Sequence, residues 1–150
     1  MTPVSRVGGC LYICAALAAC NSDLPVVASA EMSTGETLTI TRVATHPFLA
    51  RYNLRLRLSV REGCSAEADL FPDTGYVSRR NLYRSSDGFI YVVGQFDARV
   101  VDPRGCTITL AEFRSLDPHA EFLGSFDVNE GKEWIYLPSN QRSERPFEKR

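Results

Sequence analysis

The sequence is poor in histidine, the side chain that most often transfers protons near neutral pH. His46 and His119 are its only two histidines, each beside a proline in an apparent turn, and neither belongs to an H-E-x-x-H metal motif. The G-x-S-x-G motif of many hydrolases is also absent. We therefore predict no catalytic residues, no metal site and no cofactor. A small periplasmic hydrolase that uses His46 or His119 is the alternative from the enzyme class.

The chain also lacks an N-terminal apolar run long enough to span a membrane. The uncharged run there covers 13 residues, 7–19, whereas a spanning helix needs about 20 apolar residues. Arg6 precedes the run and the polar residues 21–23 follow it, which is the order of charge, apolar core and polar break in a secretory signal peptide. We expect residues 1–19 to be a helical signal segment that is removed during export.

The run ends in Leu17, Ala18, Ala19 and Cys20, and this tetrad resembles the lipobox of bacterial lipoprotein precursors. The resemblance implies cleavage before Cys20, acylation of its sulfur and of the new amino group, and a membrane contact made through the N-terminal lipid. In that class an Asp after the cysteine favours retention in the inner membrane, whereas this chain has Asn21. The resemblance thus implies an outer-membrane location, with the domain facing the periplasm.

A second cleavage signal competes with the lipobox. The triplet Ala28, Ser29 and Ala30 fits an A-x-A site, and a cut after Ala30 would release a soluble secreted protein that begins at Glu31. Eleven residues separate this cut from the apolar run, which is unusually far. The secreted form is the alternative to the lipid-anchored one.

Cysteine is scarce in the part of the chain that would be exported. Removal of residues 1–19 discards Cys10 and Cys14, and lipidation uses Cys20, so that Cys64 and Cys106 are left. An even pair in an oxidising compartment predicts one disulfide. A metal cluster of the three N-terminal cysteines is disfavoured, because they lie in apolar sequence without the spacing of zinc ligands.

Neither sign of charge is in excess. The chain has 17 Lys and Arg residues against 18 Asp and Glu residues, for a formal net charge of −1. Domains that bind nucleic acids usually carry a strongly basic surface. We therefore expect no nucleic-acid partner.

The exported part shows no convincing apolar stripe of helical period. Residues 51–61 instead alternate strictly, with Tyr52, Leu54, Leu56, Leu58 and Val60 at every second position. Period two predicts a strand with one face in solvent. Short strands along the chain predict an all-β fold, as a single small antiparallel β-sandwich or barrel-like domain.

Further strands are predicted on either side of turn signals. Residues 37–43 could pair with residues 51–61 across a break at residues 45–47. Residues 65–71 could be a strand, although much of the segment 62–88 is ambiguous. The remaining strands are residues 89–101 as one central strand, residues 106–113 after a turn at 102–105, and the hairpin 122–128 with 133–137.

Composition divides the exported chain into three parts. Residues 20–35 are small and polar, which predicts a lipidated, flexible tether. Residues 36–138 would form the β domain, with one hydrophobic core. Residues 139–150 carry charges of both signs and predict a mobile charged tail.

Four arginines are the candidate binding surface. Arg51, Arg55, Arg57 and Arg61 alternate with the apolar residues of the segment 51–61. Alternate residues of a strand are about 6.6 Å apart, so the guanidinium groups could hold carboxylates or phosphates. The plain alternative is a solvated sheet face. The residues that could extend this surface are Arg79, Arg80, Arg84, Tyr76 and Tyr83.

These expectations combine into one hypothesis about function. An envelope lipoprotein anchored by Cys20 would act as a binding or accessory module, and its partner would be another envelope protein or an anionic ligand. A sharper version is an immunity-type or inhibitor-type protein that blocks a hydrolase, since such a protein needs only a rigid surface and an anchor.

Overall fold

The computed structural model describes residues 24–61, 63–75 and 77–147. Within these residues the chain forms ten β-strands and one short 3-10 helix at Phe113–Ser115. The signal segment and Cys20 lie outside the described residues. The strands are β1 (Val26–Glu31), β2 (Glu36–Ala44), β3 (Tyr52–Val60), β4 (Ser65–Asp73), β5 (Arg80–Arg84), β6 (Ile90–Val93), β7 (Ala98–Asp102), β8 (Thr107–Ala111), β9 (Glu121–Val128) and β10 (Trp134–Pro138).

The strands form two antiparallel sheets that pack as a β-sandwich, which confirms the predicted fold class and decides between sandwich and barrel. One sheet has four strands in the order β1-β2-β3-β4, and the other has six in the order β10-β9-β5-β6-β7-β8. The four-stranded sheet is a simple meander, and the chain passes to the second sheet between β4 and β5. The predicted pairing of residues 37–43 with residues 51–61 is confirmed, because β2 pairs with β3.

The core lies between the two sheets and follows from period-two alternation. Along β3, Leu54, Leu56 and Leu58 are buried, while the residues between them face solvent. They pack with residues of the other sheet such as Phe126 and Trp134. Each fully buried side chain of this size contributes about 1.5–3 kcal/mol through removal of apolar surface from water. The predicted strand at 51–61 and the predicted hairpin of β9 with β10 are both confirmed.

One predicted strand is wrong. Residues 89–101 are not a single strand but β6 and β7, which reverse at residues 94–97. The backbone N–H of Gly94 donates to the carbonyl of Asp97 at 2.8 Å and closes the turn. A Cβ on Gly94 would lie 2.7 Å from Nε of Arg80, so the turn needs a glycine where the buried Arg80 side chain passes.

The predicted flexible tether is wrong for residues 26–31. They form β1, which pairs with β2 along its whole length. Ala28 and Ala30 alternate with exposed residues and are both buried in the core. Small apolar side chains at alternate positions allow this segment to cover the edge of β2, whose backbone groups would otherwise be unpaired within the sheet.

The predicted mobile tail is wrong for residues 144–147, which pack on the outer face of the six-stranded sheet. Asn81 donates to the carbonyl of Arg145 at 3.0 Å, and the Tyr83 hydroxyl donates to Glu144 at 2.7 Å. Phe147 packs against a second apolar cluster on that face. Residues 144–147 therefore belong to the folded domain, because they cover apolar side chains that would otherwise meet water.

The predicted disulfide between Cys64 and Cys106 is confirmed. Cys64 lies in the turn between β3 and β4, and Cys106 lies in the turn between β7 and β8. Their Cα atoms are 6.1 Å apart. The bond joins the two sheets at one end of the sandwich, along the side where β4 approaches β8.

Loss of this disulfide should destabilise the domain without changing its fold. The double substitution Cys64→Ser with Cys106→Ser is expected to lower the free energy of unfolding by about 2–5 kcal/mol, because the unfolded chain regains the freedom of a long loop. Denaturant titration of the double variant and of the oxidised wild type measures the difference. Two alkylatable thiols in the native exported protein, or equal stabilities, would contradict the role assigned to the bond.

Candidate functional site

The outer face of the four-stranded sheet carries three cross-strand rows of side chains, all of them polar except Val27. The rows arise because the residues between them, such as Ala30, Leu38 and Leu56, point into the core. Residues opposite each other in neighbouring strands have side chains close enough to interact. The rows, from β1 to β4, are Val27, Thr41, Arg55 and Asp69; Ser29, Thr39, Arg57 and Glu67; and Glu31, Thr37, Ser59 and Ser65.

Two of the predicted binding arginines are paired with acids on the neighbouring strand. Nε of Arg55 lies 2.8 Å from Oδ1 of Asp69, and Nε of Arg57 lies 3.0 Å from Oε1 of Glu67. The hydrogen bond and charge of Asp69 raise the pKa of Arg55. Exposed pairs of this kind contribute at most about 1 kcal/mol each. Their main effect is on the pattern of the surface, which presents a column of cations beside a column of anions.

The four arginines do not form the unpaired cationic row that the sequence suggested. Arg55 and Arg57 lie on β3, whereas Arg51 precedes the strand and Arg61 follows it; all four are exposed. The acidic column was missed because residues 65–71 were interpreted only as a strand. The alternation of Glu67 and Asp69 with alanines was the available signal, since it places both acids on the face that β3 presents to solvent.

A groove opens in this face near the start of β3. It has a volume of about 630 Å³ and lies where the register between β3 and β4 shifts, between Tyr52 and Leu54. Its lining offers hydroxyl, amide, guanidinium and carboxylate groups within one concavity. Such a lining can donate and accept hydrogen bonds and pair with either sign of charge. The residues that line it are Thr41, Val43, Asn53, Leu54, Arg55, Glu67, Asp69, Leu70 and Pro72.

The residues expected to extend the arginine surface lie elsewhere. Arg80 and Arg84 point between the sheets, where Arg80 pairs with Asp97 and Arg84 pairs with Glu36. On the outer face of the other sheet, Arg79 packs over the Phe147 ring and Tyr83 bonds to Glu144. Tyr76 lies outside the described residues. Burial and the bond to Glu144 raise the pKa of Tyr83 to about 12.

Arg80 is the centre of a buried polar cluster. Its side chain is 3% exposed, and it donates to the carbonyls of Phe71, Ser78 and Arg79 at 2.5, 3.1 and 3.0 Å. Its guanidinium lies 3.5 Å from Asp97, which also accepts from the Phe71 N–H at 2.8 Å. Burial lowers the pKa of Arg80, and the nearby carboxylates oppose that shift. The cluster is a structural clamp, because its charges and carbonyls are directed at one another.

Both histidines are turn residues in the structure. Nδ1 of His46 accepts hydrogen bonds from the N–H groups of Phe48 and Leu49 at 3.1 and 3.0 Å. The backbone N–H of His119 donates to Asp117 at 2.8 Å. In the part of the chain that the structure describes, no group of three or more His, Cys, Asp or Glu side chains is placed to hold a metal ion.

Comparison of the chain with models of protein families, with curated proteins and with solved structures found no match. Residues 24–61, 63–75 and 77–147 contain no helix long and apolar enough to cross a membrane.

The buried and the exposed ion pairs should differ sharply in their effect on stability. We expect Asp97→Ala to lower the free energy of unfolding by about 3–5 kcal/mol, since it leaves the Arg80 charge buried without its partner. The matched control Asp69→Ala, on the exposed pair with Arg55, should cost less than about 1 kcal/mol. Denaturant titration compares the two, and Asp97→Asn provides a milder variant if the alanine does not fold. Equal effects would contradict the clamp.

Proposed function

We propose that this protein is a lipid-anchored envelope lipoprotein whose β-sandwich acts as a binding module through the outer face of the four-stranded sheet. The observation that carries the proposal is the exposed array of paired charges and hydroxyls on β2, β3 and β4. That array is broad and polar, and it is attached to a rigid core. These are the properties that a recognition surface needs.

The position of β1 supports the lipid anchor over the secreted form. A cut after Ala30 would remove nearly all of β1 and with it two buried core residues, Ala28 and Ala30. The edge of β2 would then lose its pairing partner. Cleavage before Cys20 leaves β1 whole, so the lipobox is the cut that suits the fold. The disulfide agrees with an oxidising compartment such as the periplasm.

Size and charge pattern support a protein partner over a small anion. At a spacing of about 4.8 Å, three strands of nine residues, each about 30 Å long, and β1 of six residues, about 20 Å long, give a face of about 530 Å². This approaches the roughly 800 Å² that each partner buries in a standard interface. Because the arginines already face carboxylates, a partner must offer donors and acceptors in a matching order. Such complementarity favours specificity and register.

An immunity-type or inhibitor-type role is the sharper form of this proposal. A protein that blocks a hydrolase needs a rigid face and a fixed location, and the clamp at Arg80 and the disulfide Cys64–Cys106 support the first of these. The groove of about 630 Å³ offers a place for a side chain of the partner. The partner would be a second envelope protein.

The anchor is tested by changing the acylated cysteine. We expect Cys20→Ser to abolish acylation and move the protein from the membrane fraction to the soluble fraction, since each buried lipid methylene contributes about 0.8 kcal/mol to membrane binding. Cys10→Ala is the matched control, because it changes a cysteine of the proposed signal peptide and should leave anchoring intact. Fractionation and mass spectrometry of the N-terminus report the result. A wild-type N-terminus at Glu31 without lipid would overturn the anchor.

The binding face is tested by exchanging its charges while keeping its ion pairs. The variant with Arg55→Asp, Asp69→Arg, Arg57→Glu and Glu67→Arg should fold with a stability within about 0.5 kcal/mol of the wild type for each exposed site. It should lose most of its partner in a pull-down from solubilised membranes, and the loss should shrink at high salt, where screening shortens the Debye length to about 3 Å at 1 M.

A control separates the face from charge in general. Exchanging the charges of Glu112 and Arg114, an exposed pair on the short 3-10 segment, should leave the partner unchanged. A preserved fold with an unchanged partner profile in the four-site variant would show that the outer face of the four-stranded sheet is only a solvated surface.

A further inference from the structure

The exposed apolar side chains are gathered toward one end of the sandwich. In the described residues every large hydrophobic side chain that is exposed lies near the start of β1, the end of β2, the start of β3, the end of β4, the turn from β6 to β7, or the end of β8. These positions share one end, here called the apolar end. The residues are Leu24, Val26, Val27, Phe48, Leu49, Phe71, Phe96, Leu110 and Phe113.

Contacts between the sheets show that their ends coincide. The rings of Phe71 on β4 and Phe96 in the β6–β7 turn lie 5.3 Å apart, which joins the two sheets at the apolar end. At the opposite end, Arg84 pairs with Glu36 at 2.9 Å. The apolar side chains of the two sheets therefore belong to one surface.

The most exposed of these side chains is held out by a structured loop. Phe48 is 90% exposed at the tip of residues 45–51. The two hydrogen bonds to Nδ1 of His46 fix the turn, and the N–H of Thr45 donates to the carbonyl of Arg51 at 2.9 Å to close its base. A loop that is built to present apolar side chains to solvent marks an interaction site.

The chain leaves the fold toward Cys20 at this same end. In the β1–β2 ladder Val26 is opposite Arg42. From that pair, six positions lead back to Cys20 and six lead forward to Phe48. Six residues span at most about 21 Å. An anchor at Cys20 therefore holds the apolar end within about that distance of the bilayer surface.

We propose that the apolar end rests on the lipid surface, with Phe48 and Leu49 entering the boundary between headgroups and acyl chains. The proposal rests on the proposed lipid anchor, which supplies the proximity. The exposed Arg51 at the base of the loop lies at the level of the headgroup phosphates. With this end down, the strands stand away from the bilayer and the outer face of the four-stranded sheet is open to a partner from the side.

Fluorescence quenching tests the orientation. The lipidated chain, which begins at Cys20 and carries Phe48→Trp, is placed in vesicles of phosphatidylethanolamine and phosphatidylglycerol with brominated acyl chains. The native Trp134 is 3% exposed and gives a common background. The matched control is Ser86→Trp, in the exposed turn between β5 and β6 at the opposite end.

We expect the emission added by Phe48→Trp to fall by about half or more, because interfacial side chains enter about 5–10 Å into the bilayer. The emission added by Ser86→Trp should not change.

A second measurement separates this proposal from the anchor. Binding of the unlipidated exported chain, residues 20–150 with Cys20→Ser, to the same vesicles should weaken about tenfold when Phe48→Ser and Leu49→Ser are added. If fractionation shows no lipid on the wild type but this loss is seen, the anchor fails and the lipid-binding end stands. Quenching that is equal in Phe48→Trp and Ser86→Trp, in a chain that remains anchored, would overturn the orientation. Shielding of Phe48→Trp only after a membrane protein is added would also overturn it, in favour of a protein partner.

Discussion

The buried charge of Arg80 is the constraint on which the rest of the fold depends. The residue opens β5, at the point where the chain passes from the four-stranded to the six-stranded sheet. Its bonds reach back to Phe71 on β4 and forward to Asp97 in the β6–β7 turn. A guanidinium removed from water is costly unless its charge is opposed and its donors are bonded. Here Asp97 opposes the charge and backbone carbonyls accept from both terminal nitrogens, whereas Nε has no hydrogen-bond partner. The requirement for these partners holds three distant segments together and leaves room only for a glycine at position 94.

Three other contacts join the two sheets of the sandwich. At the end opposite the apolar end, the pair of Arg84 with Glu36 and the disulfide Cys64–Cys106 join the sheets. On the side of β10, the Trp134 indole donates to the carbonyl of Ile40 at 3.2 Å and packs with Phe126. A domain fastened at both ends can carry function on its surfaces, because substitutions on an exposed face need not disturb the core.

The outer faces of the two sheets differ in chemistry. That of the six-stranded sheet is apolar around Tyr91 and Val93, and the C-terminal segment with Phe147 covers it. That of the four-stranded sheet is polar and carries exposed ion pairs such as Arg55 with Asp69. One sheet thus has its outer face closed by the chain itself, while the other offers a broad polar surface. In the proposed orientation, the apolar end faces the membrane and the polar outer face of the four-stranded sheet is open to a partner at the side.

The sequence by itself determined the features that depend on residues close together along the chain. Alternation along Tyr52–Val60 specified a half-buried strand, and the hairpin of β9 and β10 followed from its turn. The count of cysteines outside the expected signal segment and the expected lipidation site indicated the disulfide. Of the candidate site, the arginines on β3 could be predicted, because period two decides which side chains share a face. The acids opposite them could not be assigned, because pairing needs the register between strands.

Tertiary structure alone decided the remaining features. The segment Val26–Glu31 belongs to a stretch of mostly small side chains that suits a linker, and it becomes a strand because the edge of β2 is open beside it. The turn between β6 and β7 includes Gly94, where the buried Arg80 side chain leaves no space for a Cβ, and residues 144–147 pack on the apolar face that they cover. In each case the free energy comes from a partner distant in sequence, so no window of local residues contains the cause.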